Sequence, residues 1–242
     1  MEVLKIISKE QKILILKSEH RVKKILDGNY SYTTLPVPRS TKFLRTHISE
    51  KHSMFVLFVD MVGSTKLSSK LPPDVLSVLI QIFCQEISSI IEHYNGFVLK
   101  FVGDAVIGYF MMHSKSNVTA NQVVNCAKTI IAVIENAINS VFVKYDFPEI
   151  KVRIGIDYGL GTIILYSSDK QLAHIDIIGL TLNLAAKMQN ISKPDQIVIG
   201  ETVYSKLSSK TKTMFRKLDV DTSKWHYEFE NKKKYPIFAS NS

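Results

Sequence analysis

A carboxylate interrupts the apolar stretch MFVLFVDMVGST at residues 54–65. Residues 54–59 are all apolar or aromatic and predict a buried β-strand, which ends at Asp60. The chain then turns at a glycine and starts toward a helix, and the backbone N–H groups at a helix start are suited to binding phosphate. The stretch supplies the predicted metal ligand Asp60 and the predicted triphosphate-binding turn Val62, Gly63, Ser64 and Thr65.

A second aspartate lies at a predicted hairpin turn. Residues 97–111, FVLKFVGDAVIGYFM, predict two strands with Gly103 and Asp104 as the two-residue turn. If the first strand pairs with this hairpin, Asp60 and Asp104 emerge at the same edge of the sheet, where unpaired carboxylates raise each other's pKa. A divalent cation removes that penalty, and Mg²⁺ is usually held by one or two carboxylates and by substrate phosphates. For Asp60 alone, a turn-capping role is the simpler interpretation; the pair predicts a metal site.

The elements that position these aspartates alternate between strands and helices. Amphipathic helices are predicted over residues 72–96 and 123–141, a shorter helix over 179–191 and a short strand over 196–200. Residues 151–166, KVRIGIDYGLGTIILY, predict two strands around a glycine turn. The order β-α-β-β-α-β predicts an α+β, ferredoxin-like antiparallel sheet with both long helices on one face. The other face is then free, and a dimer partner would cover it.

Charge divides the chain into three parts. Residues 1–52 carry 11 Lys/Arg against 5 Asp/Glu, residues 53–205 carry 11 against 13, and residues 206–242 carry 9 against 4. We predict an N-terminal extension with a helix and a linker over 1–52, the main domain over 53–207, and C-terminal strands that complete it over 208–242. Because the basic residues concentrate in the flanks, solvated surfaces are favoured over a face that binds nucleic acid.

Two further classes of protein are disfavoured. No apolar run reaches the roughly 18 to 20 residues that span a bilayer, and the N-terminus lacks the uninterrupted apolar core of a signal peptide. These features predict a cytoplasmic protein without a transmembrane segment. Cys84 and Cys126 are isolated, which indicates buried thiols rather than a disulfide framework or a zinc site.

Four segments, taken together and in order, resemble the catalytic domain of class III nucleotide cyclases. They are FVDMVGST, KFVGDAVIGYF, VRIGIDYG and DIIGLTLNLAAK, and the resemblance covers roughly residues 54–207. The resemblance implies that Asp60 and Asp104, with Met61 as a further ligand, hold two divalent metal ions, Mg²⁺ or Mn²⁺. It also implies that Lys100 and Asp176 read an adenine-type base and that Asn183 orients the ribose.

Lys187 stands where the family usually has a transition-state arginine. Asn183 and Lys187 are four residues apart on a predicted helix and therefore share a face. The implied reaction is attack of the ribose 3′-oxygen on the α-phosphorus, with expulsion of pyrophosphate. The resemblance further implies a homodimer with composite active sites, in which one subunit supplies the metal ligands and the other the base-reading, ribose and transition-state residues.

Several functions remain open at this point. The leading prediction is an adenylate cyclase that makes 3′,5′-cyclic AMP from ATP; a cyclase for another base, including pyrimidines, is the first alternative. A catalytically weak nucleotide-binding module that regulates a partner is the second, since lysine provides a compact point charge where arginine provides a planar fork. Nucleic-acid binding through the basic flanks is a minority hypothesis. The turn VGDA does not match the GGDEF turn of diguanylate cyclases.

Overall fold

One mixed β-sheet is the centre of the structure, a computed structural model that describes residues 7–29, 37–112, 116–167, 173–221, 225–229 and 232–241. The strands are β1 Lys51–Met61, β2 Phe97–Val102, β3 Ala105–Met111, β4 Val152–Leu165, β5 Ile175–Ile178, β6 Gln196–Gly200, β7 Phe215–Lys217 and β8 Ile237–Ser240. Their order is β2-β3-β1-β4-β6-β8-β7, and β5 pairs with β4 beside this path. Within the described residues, β4 and β6 pair in parallel and the other neighbours pair antiparallel. The segment β2-β3-β1-β4 is the predicted ferredoxin-like arrangement.

Helices cover both faces of this sheet. They are α1 Lys9–Leu26, α2 Val37–Arg45, α3 Ser64–Ser68, α4 Pro73–His93, α5 Ser116–Val133, α6 Asn139–Phe142, α7 Leu180–Ile191, α8 Glu201–Tyr204 and α9 Ser209–Lys212. A π-helical turn, Ile134–Ile138, makes α5 and α6 continuous. The two long helices α4 and α5 pack on one face, as predicted. The predicted apolar face of the second long helix is buried throughout, at Val123, Ala127, Ile130, Ile134, Ala137 and Val141.

Two helical stretches, Pro73–His93 and Asn117–Tyr145, are long and apolar enough to span a membrane by length and composition alone. In the structure both pack on the sheet, and their apolar side chains share one core with Phe55 and Leu57 of β1. Their apolar character is therefore accounted for by the layer they form over the sheet.

The second face of the sheet is covered, so the prediction of a free face is wrong. Helix α2 contacts β2 and β5, and α7 lies across β1 and β4. A second core lies beneath them, in which Leu44 of α2 and Leu182 and Ala185 of α7 join Met54 and Val56 of β1. A dimer partner is therefore not needed to shield this surface from water.

Helix α2 occupies part of the segment predicted to be a linker. Residues 30–36 of that segment lie outside the described residues, but the helix begins at Val37. Pro38 does not prevent it, because the N–H groups of a first helical turn have no acceptor within the helix. A proline in that turn therefore removes no hydrogen bond of the helix. Proline alone is thus a poor indicator of a linker.

Strand β4 also differs from the prediction, because it is one strand of 14 residues rather than two strands around a turn. Its glycines serve close packing. A Cβ atom at Gly155 would collide with the Ala185 carbonyl of α7, and one at Gly159 would collide with the Thr181 hydroxyl. Glycine therefore lets α7 lie directly on the backbone of β4.

Both ends of the chain join the main body. Helix α1 contributes Val22 and Ile25 to the main core, and its Arg21 forms a bidentate ion pair with the fully buried Glu86 of α4, at 2.8 and 2.5 Å. At the other end, β7 and β8 extend the sheet, and Trp225 is buried in a small core with Tyr235. The proposed boundaries at residues 52 and 207 stay predictions.

Candidate active site

Asp60 and Asp104 are brought together by strand pairing. Asp60 is the second-last residue of β1, and Asp104 lies in the turn between β2 and β3. Val59 of β1 pairs with Val106 of β3, so the end of one strand lies beside the turn. Burial and the negative charge of Asp104 raise the pKa of Asp60 above the usual range for a carboxyl group. The two aspartates among the predicted metal ligands therefore form a pair of interacting carboxylates.

Two side chains outside the sequence prediction contact Asp60. Arg153 Nη2 donates to Asp60 Oδ2 at 2.9 Å, and Gln189 Nε2 donates to the same oxygen at 2.7 Å. Arg153 is opposite Asp60 in the register of β1 and β4, and Gln189 lies on the sheet-facing side of α7. Arg153 belongs to the segment VRIGIDYG, so its identity was visible in the sequence. Its contact with Asp60 could be found only from the register of β1 and β4, which brings together residues 93 positions apart in the sequence.

Two buried polar atoms at this site have no hydrogen-bond partner among the described residues, Asp104 Oδ2 and Arg153 Nε. Buried polar atoms are nearly always partnered, so both indicate a missing ligand. A cation would satisfy the carboxylate oxygen, and an anionic oxygen such as that of a phosphate would satisfy the guanidinium N–H. The Met61 side chain is buried in the main core, so only its backbone carbonyl could serve a metal. The donor set therefore fits a divalent cation beside an anionic group.

The predicted phosphate-binding turn follows directly. Gly63 has φ +73°, a left-handed conformation that glycine adopts without strain, and α3 starts at Ser64. Val62 donates its N–H to the Lys151 carbonyl, whereas the N–H groups of Gly63, Ser64 and Thr65 have no acceptor in the described part of the chain. Free N–H groups beside the carboxylate pair are compatible with the predicted triphosphate contact, which stays a prediction.

Lys100 and Asp176 form a direct ion pair between β2 and β5. Asp176 Oδ1 also accepts a hydrogen bond from the Ile177 N–H at 2.9 Å, so both carboxylate oxygens are held. Asp176 is buried and the Lys100 side chain is one-third exposed, at 33%. The structure thus joins the two predicted base-reading residues into one donor–acceptor unit with an accessible ammonium group.

Asn183 and Lys187 lie on the exposed face of α7. At about 100° per residue, Lys187 points roughly 160° away from Gln189 around the helix, and Asn183 roughly 120° away. Because Gln189 contacts Asp60, the two exposed side chains point away from the carboxylate pair of their own chain. One chain therefore presents the predicted site in two halves. We call them the carboxylate half, with Asp60 and Asp104, and the exposed half, with Asn183 and Lys187.

An apolar surface adjoins the exposed half. Leu160, Ile178 and Leu180 are between 46% and 59% exposed, and β4 and β5 place the first two near each other. Leu180, Asn183 and Lys187 follow one another at helical spacing on α7, so the apolar surface continues onto the face that carries Asn183.

Comparison with known proteins identifies relatives over most of the chain. A family described as the Adenylate and Guanylate cyclase catalytic domain matches residues 47–236. A cytidylate cyclase of Staphylococcus aureus is 28% identical over 68% of this chain and 39% of its own length. A uridylate cyclase of a Rhodovulum species is 26% identical and matches 70% of each chain. The chain thus spans about two fifths of the Staphylococcus relative.

A solved structure shares the fold. The adenylyl cyclase CyaB from P. aeruginosa matches 80% of this chain and 95% of its own with a TM-score of 0.66, at 23% sequence identity. Such a match confirms the α+β sheet and its helices. The substrate of this chain does not follow from it.

Proposed function

We propose, since the chain belongs to the family of Adenylate and Guanylate cyclase catalytic domains, that it converts a nucleoside triphosphate into a 3′,5′-cyclic nucleoside monophosphate. In this reaction the ribose 3′-oxygen attacks the α-phosphorus and forms the new O–P bond. The bond from that phosphorus to the bridging oxygen breaks, pyrophosphate leaves, and the 3′-hydroxyl proton is released. The main support is the Asp60–Asp104 pair with its unpartnered buried oxygen.

The residues of the carboxylate half have distinct roles in this proposal. Asp60, Asp104 and the Met61 carbonyl would hold two divalent ions, which when bound lower the pKa of the 3′-hydroxyl and neutralise phosphate oxygens. Arg153 has a buried Nε–H available for a phosphate oxygen. The N–H groups of the turn at Gly63–Thr65 would position the terminal phosphates.

The Lys100–Asp176 pair supports a base that carries an amino group next to a ring nitrogen. Such a base accepts a hydrogen bond from Lys100 at the ring nitrogen and donates one to Asp176 from the amino group. Adenine and cytosine both present this pattern, whereas guanine and uracil present an N–H beside a carbonyl. The pair therefore supports CTP as well as ATP and does not by itself favour adenine.

We propose CTP as the preferred substrate. Cytosine satisfies the donor and acceptor pattern of Lys100 and Asp176, and curated relatives include a cytidylate cyclase and a uridylate cyclase. The leading prediction from the sequence was an adenylate cyclase. We propose instead its first alternative, a cyclase for a pyrimidine nucleotide. ATP is the second candidate because adenine fits the same pair of side chains. A cytoplasmic location stays a prediction.

A second copy of the chain would complete the active site. Asn183 and Lys187 face away from the carboxylates of their own chain, and the apolar surface at Leu160, Ile178 and Leu180 adjoins them. In a two-fold dimer, the exposed half of one chain meets the carboxylate half of the other, and the contact is made twice. Lys187 then stabilises the negative charge that develops on the α-phosphoryl group and pyrophosphate.

A substrate panel tests the proposed reaction. The purified chain is incubated with Mg²⁺ or Mn²⁺ and each of ATP, GTP, CTP and UTP, and mass spectrometry detects cyclic monophosphates and pyrophosphate. We expect cyclic CMP as the main product. Cyclic AMP in excess would contradict CTP preference while keeping the reaction, and nucleotide binding without any product would contradict the cyclase proposal.

Asp104→Asn tests the carboxylate half in the same assay. We expect turnover to fall by about 10²-fold or more, because the neutral amide cannot replace a carboxylate ligand in charge stabilisation. Asp146→Asn is the matched control, since Asp146 is exposed, lies far from the site in sequence, and has φ +60°, which asparagine tolerates. Unchanged turnover in Asp104→Asn, with circular dichroism showing a folded protein, would refute its role.

A further inference from the structure

A cluster of metal-binding side chain types lies at the junction between α2 and β1, away from the carboxylate pair. It consists of His47, Glu50 and His52, and we call it the junction cluster. One ligand atom from each of these side chains lies within 4.8 Å of the other two. Tetrahedral zinc sites place neighbouring ligand atoms about 3.4 Å apart, given bonds of about 2.0–2.1 Å to nitrogen and oxygen. Small side-chain rotations would bring the cluster to that spacing.

The backbone of the junction holds these residues together. Ser49 has φ +67°, and the Glu50 N–H donates to the His47 carbonyl at 3.1 Å, which folds the chain back on itself. The Ser49 N–H and the Glu50 carbonyl both bond to Ile163 of β4, at 2.9 and 3.0 Å. Glu50 and His52 are two residues apart in extended chain, so their side chains leave the same side. The cluster is therefore held at the end of the sheet where β1 begins, rather than on a free loop.

The imidazole of His47 is oriented for a metal ion. Its Nδ1 lies 2.8 Å from the Phe43 carbonyl and 2.9 Å from the Thr46 hydroxyl, which donates its own proton to the same carbonyl at 2.7 Å. Because the carbonyl oxygen can only accept, this arrangement assigns a proton to Nδ1. Nε2 then presents a lone pair. The Phe43 ring stacks on His47 with centroids 4.3 Å apart and further fixes the imidazole plane. Histidine ligands of metals typically donate their other N–H to a carbonyl or a carboxylate in this way.

The other two ligands are already in contact. His52 Nε2 lies 2.8 Å from Glu50 Oε2, and the two side chains are 24% and 53% exposed, so an ion could reach them from solvent. Two imidazoles and one carboxylate form a ligand set that suits Zn²⁺ and similar transition metals, with water completing the coordination. Mg²⁺ prefers an all-oxygen environment, so this site differs in chemistry from the Asp60–Asp104 pair.

We propose that the junction cluster is a binding site for a divalent transition metal ion, with Zn²⁺ as the best match. The ion binds His47 Nε2, a Glu50 carboxylate oxygen and a His52 ring nitrogen. It thereby ties the end of α2 to the start of β1 and stabilises the folded chain, because the ligands converge only in the folded state. Helix α2 also lines, through Thr41 and Arg45, a cavity of about 430 Å³ that includes Lys100. The ion thereby restrains the end of a helix that forms one wall of that cavity.

Zinc titration of the full chain tests this proposal without any assay of turnover. Metal-free protein is titrated with Zn²⁺ by calorimetry in buffer with millimolar Mg²⁺, and Co²⁺ absorption reports the ligand geometry. We expect one zinc ion per chain, a rise in melting temperature, and visible Co²⁺ bands of four- or five-coordinate geometry. His47→Gln and His52→Gln should each weaken zinc binding by at least about 10-fold.

His93→Gln is the matched control. His93 also bonds to a carboxylate, Glu10, at 2.8 Å, but it is not part of the three-residue cluster. We expect this variant to bind zinc as the wild type does. The proposal is overturned if the wild type takes up no zinc, if the two cluster variants bind it as tightly as the wild type, or if uptake is lost in Asp104→Asn instead.

Discussion

At the scale of single residues, Asp157 is a buried carboxyl group that makes the stability of the fold depend on pH. It lies in β4, is buried, and accepts hydrogen bonds at Oδ1 from the Tyr235 hydroxyl at 2.6 Å and the Thr202 hydroxyl at 2.9 Å. Burial raises its pKa from the ordinary 3.8 to about 6, although the two hydrogen bonds partly oppose the rise. Asp157 is thus protonated in the folded chain at pH values where it is ionised in the unfolded chain.

The stability contribution of Asp157 follows from this raised pKa. It is fully present below pH 3.8 and is lost as the pH rises through about 6, because the folded state binds the proton more tightly. The loss amounts to about 3 kcal/mol in the free energy of unfolding. Asp157→Asn should therefore show a smaller decrease in stability between pH 4 and pH 7 than the wild type.

Urea unfolding at several pH values measures that difference. Asp146→Asn serves as the control, since Asp146 is exposed and its substitution should leave the pH profile of the wild type unchanged. An Asp157→Asn profile parallel to that of the wild type would show that the buried carboxyl group does not titrate in this range.

Substitutions of Lys187 test whether its positive charge acts on the α-phosphoryl group. Lys187→Ala should lower kcat by about 10²-fold, because a charge that acts in the transition state is removed. Lys187→Arg should retain or raise kcat, since a guanidinium offers two parallel donors to phosphate oxygens. Steady-state kinetics would measure both, with exposed Lys193→Ala as the control. Equal kcat values in Lys187→Ala and the wild type would exclude the role.

At the scale of elements, α1 is attached to the main body by its apolar contacts in the core and by a charge pair with a buried glutamate. Glu86 is completely buried, and Arg21 is its cationic partner across the α1–α4 contact. Removing one member of a buried ion pair leaves the other charge without compensation, which typically costs about 3–5 kcal/mol. Arg21→Ala should therefore lower the free energy of unfolding by about that amount.

Chemical denaturation of Arg21→Ala checks this attachment. Lys17→Ala is the control because Lys17 is exposed on the same helix and forms no ion pair among the described contacts. A loss of stability no greater than that of Lys17→Ala would mean that the charge pair with Glu86 does not stabilise the attachment of α1.

The strands and helices around Asp60 could be predicted because local patterns decide them. Residues 54–59 are a continuous apolar run, and Gly103 and Asp104 are a typical two-residue turn, so their pairing followed from the order of elements. The glycines of β4 were misinterpreted as a turn because a glycine that permits helix contact resembles one that permits a turn. Only the position of α7 distinguishes the two uses.

The contacts of the site were harder to predict than its residues. Asp60 and Asp104 could be predicted as a pair from their type and position, whereas Lys100 and Asp176 were implied by the resemblance to class III cyclases. The Asp60 contacts with Arg153 and Gln189 depend on the β1–β4 register and on the angle of α7 over the sheet, which a single sequence does not reveal. The preference for one base likewise depends on the orientation of Lys100 and Asp176 toward the substrate, because adenine and cytosine both fit this pair.

At the scale of the whole molecule, we expect that neither half of the site works alone. The carboxylate half includes Asp60 and Asp104, and the exposed half includes Asn183 and Lys187 on the opposite side of α7. If two chains share each active site, a variant damaged in one half can be complemented by a variant damaged in the other. A chain that forms its site by itself cannot be rescued in this way.

Mixing two inactive variants is the most direct test of this claim. Asp104→Asn and the double variant Asn183→Ala/Lys187→Ala are each assayed alone with CTP and Mn²⁺ and then after mixing and subunit exchange. Random exchange makes half of the dimers mixed, each with one intact site of two, so the mixture should recover up to about a quarter of wild-type activity. The composite site would be contradicted if the mixture were as inactive as each variant alone. The control is wild-type protein that is active and exchanges subunits under the same conditions.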